Sequence, residues 1–463
     1  MFDLIGESAG ALPIHLVSAG KLTVWLEAQQ LNWRNWLAGR LEGMKAGAAL
    51  MLPGDDGTPS AVLAVVGDKP DMWSVAGLQG RLPADRFMLD LTALDCADPA
   101  ALAHDLVLGW ALGTYRFDRY LKPSEKPRAQ LVWPLEVDRE RVTAMAEAIF
   151  LTRTLINTPA QDMGPTALEQ SARVLAERFG GSAESTIGDE LLARNFPMIH
   201  AVGRAAVDPP RLIDLTFGDA ALPKVTLVGK GVCFDTGGLD LKAASGMELM
   251  RKDMGGAATV LGLAHMILAT AVPVRLRVLI PAVENAVAGN AYRPGDILQT
   301  RQGITVEIGN TDAEGRLVLG DALSLAGEEK PDLLVDFATL TGAARVAVGT
   351  EIAAFFTRDD ALARELEAAA RAADDAVWRL PLHEGYRHLL DTPFADINNA
   401  GSGRFAGAST AALFLKEFVA DPDRWLHLDI MAWNSRNRPG RPRGGEAMGL
   451  RALFMMIESR FAR

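Results

Sequence analysis

The chain has little of what several common protein classes require. Its 463 residues include two cysteines, Cys96 and Cys233. That is too few for a disulfide framework and suits a reducing cytoplasm. No run of about 18 apolar residues occurs, so no membrane span is expected. The opening Met1 to Ser8 has neither the basic region nor the long apolar core of a secretory signal. The seven histidines (His15, His104, His200, His265, His383, His388 and His427) never fall in His-Glu-x-x-His spacing. His427 lies in an apolar run and reads as a core residue. Val228-Gly-Lys-Gly231 lacks the remaining spacing of a phosphate loop. The net charge of −11 opposes a surface made for nucleic-acid phosphates. Internal repeats and low-complexity tracts are also missing.

What is present centres on Asn310-Thr-Asp-Ala-Glu-Gly-Arg-Leu317. Asp312, Glu314 and Arg316 alternate with Thr311, Ala313 and Gly315, so an extended backbone would point the three charges one way. Two carboxylates and a guanidinium separated by small residues suit a metal site with an anion hook. The competing reading is a solvated loop. A second stretch, residues 228 to 256, adds Lys230, Asp235, Lys242 and Asp253 among glycines, on loops that follow a strand and precede a helix starting near Gly255. Functional groups gather at such strand ends in α/β folds. Asp235, Asp253, Asp312 and Glu314 together carry four negative charges, which two divalent cations such as Mg, Mn or Zn neutralise. Without metal, such a cluster would repel itself and raise its pKa values. Cys233 reads as packing. From its residue chemistry alone Lys230 reads as a salt-bridge partner, because a lysine must be neutral to ligate and its free pKa is about 10.4.

The octapeptide and the Gly229 to Gly256 segment resemble the leucine aminopeptidase (cytosol aminopeptidase) family. The likeness continues through Asn157-Thr-Pro159, Ala338-Thr-Leu-Thr-Gly342, Ala395-Asp-Ile-Asn398, Gly407-Ala-Ser-Thr-Ala411 and His427-Leu-Asp429, and covers roughly residues 150 to 455. Upstream, Leu112 to Phe117 is similar to a family segment. The resemblance implies a metal-dependent enzyme that removes the N-terminal residue, leucine-like, from peptides. It implies two divalent ions per subunit (Zn or Mn, with Mg or Co possible) held by Lys230, Asp235, Asp253, Asp312 and Glu314. It makes Lys242 the lysine that stabilises the oxyanion. Arg316 would hold a bicarbonate general base, with Gly315 and Leu340 cradling it. Asp253 would also meet the substrate's free amine, and Met250, Thr339 and Gly342 would line the pocket for its side chain. A homohexamer in the cytoplasm is implied too.

Some positions depart from the family pattern. Asp240 replaces a small polar residue near Lys242, where it could raise the lysine's pKa. Ala243 stands where proline is frequent. Met431-Ala-Trp-Asn434 is bulkier than the small-residue run expected of the first-residue pocket. Asn434 to Glu446, rich in Arg, Pro and Gly, reads as an exposed loop.

The expected architecture is α/β: a small N-terminal α/β domain (1–130), a linker and connecting helix (131–156) and a catalytic domain (157–463) with a largely parallel, helix-covered sheet. Leu121 to Arg128 reads as a polar, proline-bearing linker, and Val137 to Ile156 as a long helix. Short apolar runs, Ala61 to Val66 and Arg86 to Leu91, separate helix-like stretches in the first domain, and strands are expected at Leu131 to Trp133, Val225 to Val228, Arg275 to Ile280 and Leu333 to Phe337. A helix is expected at Gly256 to Leu268. The alternatives are a DNA-binding protein or an inactive interaction subunit on the same scaffold. The first would use the only basic cluster, Arg436, Arg438, Arg441 and Arg443; the second would need a lost ligand, and every ligand position is filled.

Overall fold

A computed structural model describes residues 2–122 and 127–462; the middle of the expected linker, Pro123 to Lys126, lies outside the described residues. The chain divides into two compact units, Met1–Phe150 with Arg436–Arg443, and Leu151–Ser435 with Gly444–Arg463. The division falls inside a helix, Arg139–Asn157.

The first unit is built on a six-stranded sheet in the order Leu4–Ile5, Gln130–Val132, Arg86–Asp90, Leu12–Ser18, Pro59–Val66, Ala49–Pro53. Its pairings are parallel except the last. Pro59–Val66 is apolar and buried over its last six residues, as befits a strand covered on both faces. The Pro99–Gly113 helix starts where Asp98 accepts from the Ala101 N–H and Pro99 takes the first turn.

The second unit holds a nine-stranded sheet. Its middle four strands run Trp425–Asp429, Leu333–Ala338, Lys224–Gly229, Arg275–Asn285, all parallel. A fifth parallel strand, Gly231–Asp235, pairs with the end of Arg275–Asn285. Antiparallel strands flank this centre, with Arg211–Phe217 on one side and Ala353–Phe356 on the other. The sheet is thus largely parallel, as the alternation of apolar runs implied. The Gly255–Ala269 helix is apolar all round and buried through Ile267, which requires cover on every side.

Two local expectations are corrected. The octapeptide is not extended: a helix, Glu314–Glu328, begins inside it. Leu317, Val318, Ala322, Leu323 and Ala326 are buried along that helix at helical spacing, and this longer pattern overrides a three-residue alternation. Asn434 to Glu446 is not simply an exposed loop. Trp433–Asn434 and Gly444–Gly445 pair antiparallel and are buried, and the tip belongs to the first unit, where the Arg441 guanidinium lies 3.9 Å over Trp73. No helix among the described residues is long and apolar enough to cross a membrane.

Candidate metal centre

The carboxyl ends of the parallel strands deliver the site, as expected for such sheets. Lys230 follows Lys224–Gly229, Asp235 ends Gly231–Asp235, Asn285 ends Arg275–Asn285, Thr339 follows Leu333–Ala338, and Asp429 ends Trp425–Asp429. Asp253 lies in the helical turn Met250–Met254, just before the Gly255 helix. Glu314 opens its helix, where the unpaired amide dipoles favour an anion.

Two glycines set the position of Lys230. A Cβ on Gly256 would stand 2.0 Å from the Phe337 carbonyl oxygen and 2.8 Å from the Lys230 nitrogen. Its absence lets the helix touch the strand, where the Ala257 N–H donates to the Lys230 carbonyl at 2.9 Å. A Cβ on Gly315 would collide with Lys230 Cε at 2.6 Å.

Lys230 Nζ lies 2.7 Å from Asp253 Oδ2 and 2.8 Å from Glu314 Oε1, and donates to the Thr339 carbonyl at 3.0 Å. Thr339 Oγ1 in turn donates to Asp253 Oδ1 at 2.7 Å. Lys242 Nζ pairs with Asp235 Oδ2 at 2.9 Å and with Asp312 Oδ1. Asp235 Oδ1 also accepts from the Gly237 N–H and from Asn285 Nδ2. Asn285 and the Tyr292 hydroxyl both donate to the Thr311 carbonyl, at 3.1 and 2.5 Å, and so steady the loop before Asp312.

The electrostatics are those of crowded negative charge. Asp235, Asp312 and Glu314 offer oxygens within 4.8 Å of one another. Burial first, then the charge of Asp235, push Glu314 up to about 8 and Asp312 up to about 6. Burial also works to raise Asp253, but Lys230 and then Lys252 outweigh it and lower its pKa. Burial opposes the charge of Lys230, yet Asp253, Glu314 and Asp235 hold its pKa well above the usual lysine value. Lys242 is raised in the same way, chiefly by Asp235 and Asp312 against burial. Two carboxyls, Asp312 and Glu314, that retain protons above the ordinary range suit cations more highly charged than an ammonium. The donor set, four carboxylates and one amine, fits two divalent ions.

Arg316 leaves this group. Its Nη1 donates to the Asn399 carbonyl at 2.6 Å and burial lowers its pKa to about 10, so it stays cationic. Among the described residues its buried Nε has no hydrogen-bond partner, which leaves that donor for an anion. The Gly315 amide stands in the first helical turn, where amides lack an intrahelical acceptor. The Leu340 N–H already donates to Asp429 Oδ1 at 3.0 Å. The Leu340 N–H is thus already engaged, whereas the Arg316 Nε is open to an acceptor.

Asp240 does not engage Lys242. Its carboxylate accepts from the Thr311 N–H at 2.7 Å and from Thr311 Oγ1 at 3.1 Å. Met250, buried, and Thr339 are brought next to Asp253, while Gly342 begins the following helix, Gly342–Val348. His427 is a core residue whose Nδ1 lies 2.6 Å from Asp336 Oδ1 between Trp425 and Phe356. Burial pushes the Cys233 thiol well up, with Glu284 and Asp208 adding to it, so the thiol is unreactive.

Sequence reasoning missed Asn285, Tyr292, Asn399 and Asp429 as supporting groups. Asn285 and Asp429 each end an apolar strand with a polar residue, a readable signal. Tyr292 and Asn399 carry none.

The cytosol aminopeptidase family catalytic domain matches residues 150–454, and an M17 aminopeptidase N-terminal domain matches residues 12–134. A probable cytosol aminopeptidase of Roseiflexus castenholzii is 40% identical over 393 residues, covering 81% of this chain and 80% of that protein. The crystal structure of the cytosol aminopeptidase from Coxiella burnetii is 46% identical with a TM-score of 0.95, covering 100% of both chains. The bottromycin maturation enzyme BotP in complex with Mn is 34% identical with a TM-score of 0.86, covering 97% of this chain and 99% of that one.

Proposed function

Given that the chain belongs to the cytosol aminopeptidase family and is a metal-dependent aminopeptidase, we propose that it releases the first, apolar residue of peptides at a dinuclear centre. The observation that carries this is the convergence of Asp235, Asp312 and Glu314 within 4.8 Å, beside Lys230 and Asp253, at the strand ends. These five residues would hold two divalent ions, Zn or Mn foremost, with Mg or Co as alternatives. When bound, such ions supply Lewis acidity toward the scissile carbonyl and a water acidic enough to attack it near neutral pH. BotP, a relative with the same fold, was solved with Mn.

The chain's own residues do the rest. Lys230 would ligate as a free amine, giving up its proton together with its ion pairs to Asp253 and Glu314. Asp253 meets the substrate's α-ammonium, which restricts cleavage to the first peptide bond. Lys242, more exposed than Lys230, turns its ammonium to the carbonyl oxygen as negative charge develops there. Arg316 and the Gly315 amide fit a small anion such as bicarbonate, which would take the proton of the attacking water. Met250, Thr339 and Gly342 receive the first side chain. Cytoplasmic location and a homohexamer belong to the same proposal. Nothing in the site favours a DNA-binding or inactive protein, since every ligand position is filled and the net charge is −11.

The test compares Leu-Ala with N-acetyl-Leu-Ala on metal-loaded protein, alongside the metal content per chain. Leu-Ala is expected to be cleaved with close to two ions bound, and the acetylated peptide to be left intact. Equal turnover of both peptides contradicts an enzyme that reads the free amine.

A further inference from the structure

Two cations lack a carboxylate of their own beside the residues assigned to the first side chain. Lys252 stands between Met250 and Asp253 in chain order, is 1% exposed, and its Nζ has no hydrogen-bond partner among the described residues. The charges acting on it are those of Asp253, Arg345, Lys230 and Asp429. Both carboxylates are committed elsewhere. Asp253 is held by Lys230 and Thr339, and Asp429 accepts from the Leu340 and Thr341 N–H groups and the Thr341 hydroxyl.

Arg345 lies one helical turn after Gly342. Its Nη2 is 3.5 Å from where a Cβ on Gly342 would stand, and its Nη1 is 3.7 Å from Met431 Sδ. Among the described residues no ion pair to a carboxylate is found for it. Two mutually repelling cations, one of them buried, are costly unless an anion joins them. Met250 and Met431 beside them offer apolar surface to a flexible stem.

We propose that the first-residue pocket also takes an acidic side chain, glutamate foremost, in addition to the apolar residues. The methylenes of glutamate lie on the two methionines, and its carboxylate accepts from the Arg345 guanidinium in the field of Lys252. This rests on the aminopeptidase reading and extends its substrate class.

The decisive comparison is Glu-Ala against the isosteric Gln-Ala, with Leu-Ala and Lys-Ala as references, on the metal-loaded full chain. Glu-Ala is expected to exceed Gln-Ala in kcat/KM by roughly tenfold, the effect of one charge-assisted hydrogen bond. Arg345→Met should erase that ratio, Arg345→Lys should keep part of it, and Arg345→Glu should shift preference toward Lys-Ala. Lys252→Met should lower the Glu/Gln ratio without inverting it. Independently of turnover, L-glutamate should raise the melting temperature of the native protein more than L-glutamine does, and this difference should vanish in Arg345→Met. Cleavage of Leu-Ala with no Glu/Gln preference, or a preference untouched by Arg345→Met, overturns the acidic pocket while leaving the aminopeptidase intact. Cleavage of none of the four peptides by protein that holds its metal overturns both.

Discussion

Lys230 and Lys242 each bridge two carboxylates, yet their surroundings differ. The side chains of Lys230, Asp253 and Glu314 are 3%, 4% and 2% exposed. Lys242 and Asp312 are 16% and 32% exposed, with only Asp235 of that trio closed off at 3%. A buried ion-pair group is held in place by what surrounds it. A partly open group keeps a charge within reach of one. The comparison fits the proposed roles, in which the Lys230 side holds the ions and Lys242 meets the developing oxyanion.

The largest expected effect tests the premise that both sides serve metal. Exhaustive chelation should abolish peptide cleavage, and Mn or Zn should restore it. Undiminished cleavage by protein whose metal content is verified as nil would remove the ground for the comparison.

Separating the lysines comes next. Lys242→Ala should retain its ions and lose about 10²–10³ in turnover, as expected when an oxyanion donor is deleted. Lys230→Ala should lose ions first and activity with them. Metal content beside kcat decides, and the opposite pattern would exchange the two roles.

A smaller effect concerns pH. In the metal-free chain Asp312 and Glu314 keep protons up to about 6 and about 8. The folded state then holds protons that an unfolded chain releases near the ordinary carboxyl values. Metal-free stability should thus fall as pH rises through that window. Cations compete with those protons, and with the proton on Lys230, so metal affinity should climb from pH 6 to 8. The rise in melting temperature on adding Mn should widen over the same range. A flat or narrowing difference would mean that these carboxyls are already ionised without metal.

Asp240→Asn should matter least. Its partner is Thr311, not Lys242, and the amide oxygen preserves an acceptor for the Thr311 N–H. Stability should change by about 0.5 kcal/mol, with turnover altered by roughly twofold, the same energy read as a rate. A loss comparable to that of Lys242→Ala would show that Asp240 orients the lysine after all.

The chemistry of the site was legible because it is concentrated in two short stretches whose residue types have few other uses together. What misled was local geometry. The alternation of Asp312, Glu314 and Arg316 resembles a strand, whereas the buried positions from Leu317 to Ala326 require a helix starting at Glu314. Arg316 consequently turns toward Asn399 and Phe414. Lys252 and Arg345 were not singled out, because nothing nearby in the chain reveals that a cation lacks a partner. That is a statement about every carboxylate within reach.

By itself the sequence determined the parallel α/β sheet, since buried strands and all-apolar helices are written in runs of apolar residues. It also determined the inventory of metal-binding groups, because ligand identity is a property of single residues. Only the tertiary structure decided which carboxylate faces which lysine, that Asp240 serves Thr311, and that the Leu340 amide is already taken by Asp429. Those outcomes depend on strand ends brought together across as many as 89 positions of chain, and pairings at that range follow from packing, which no local pattern encodes.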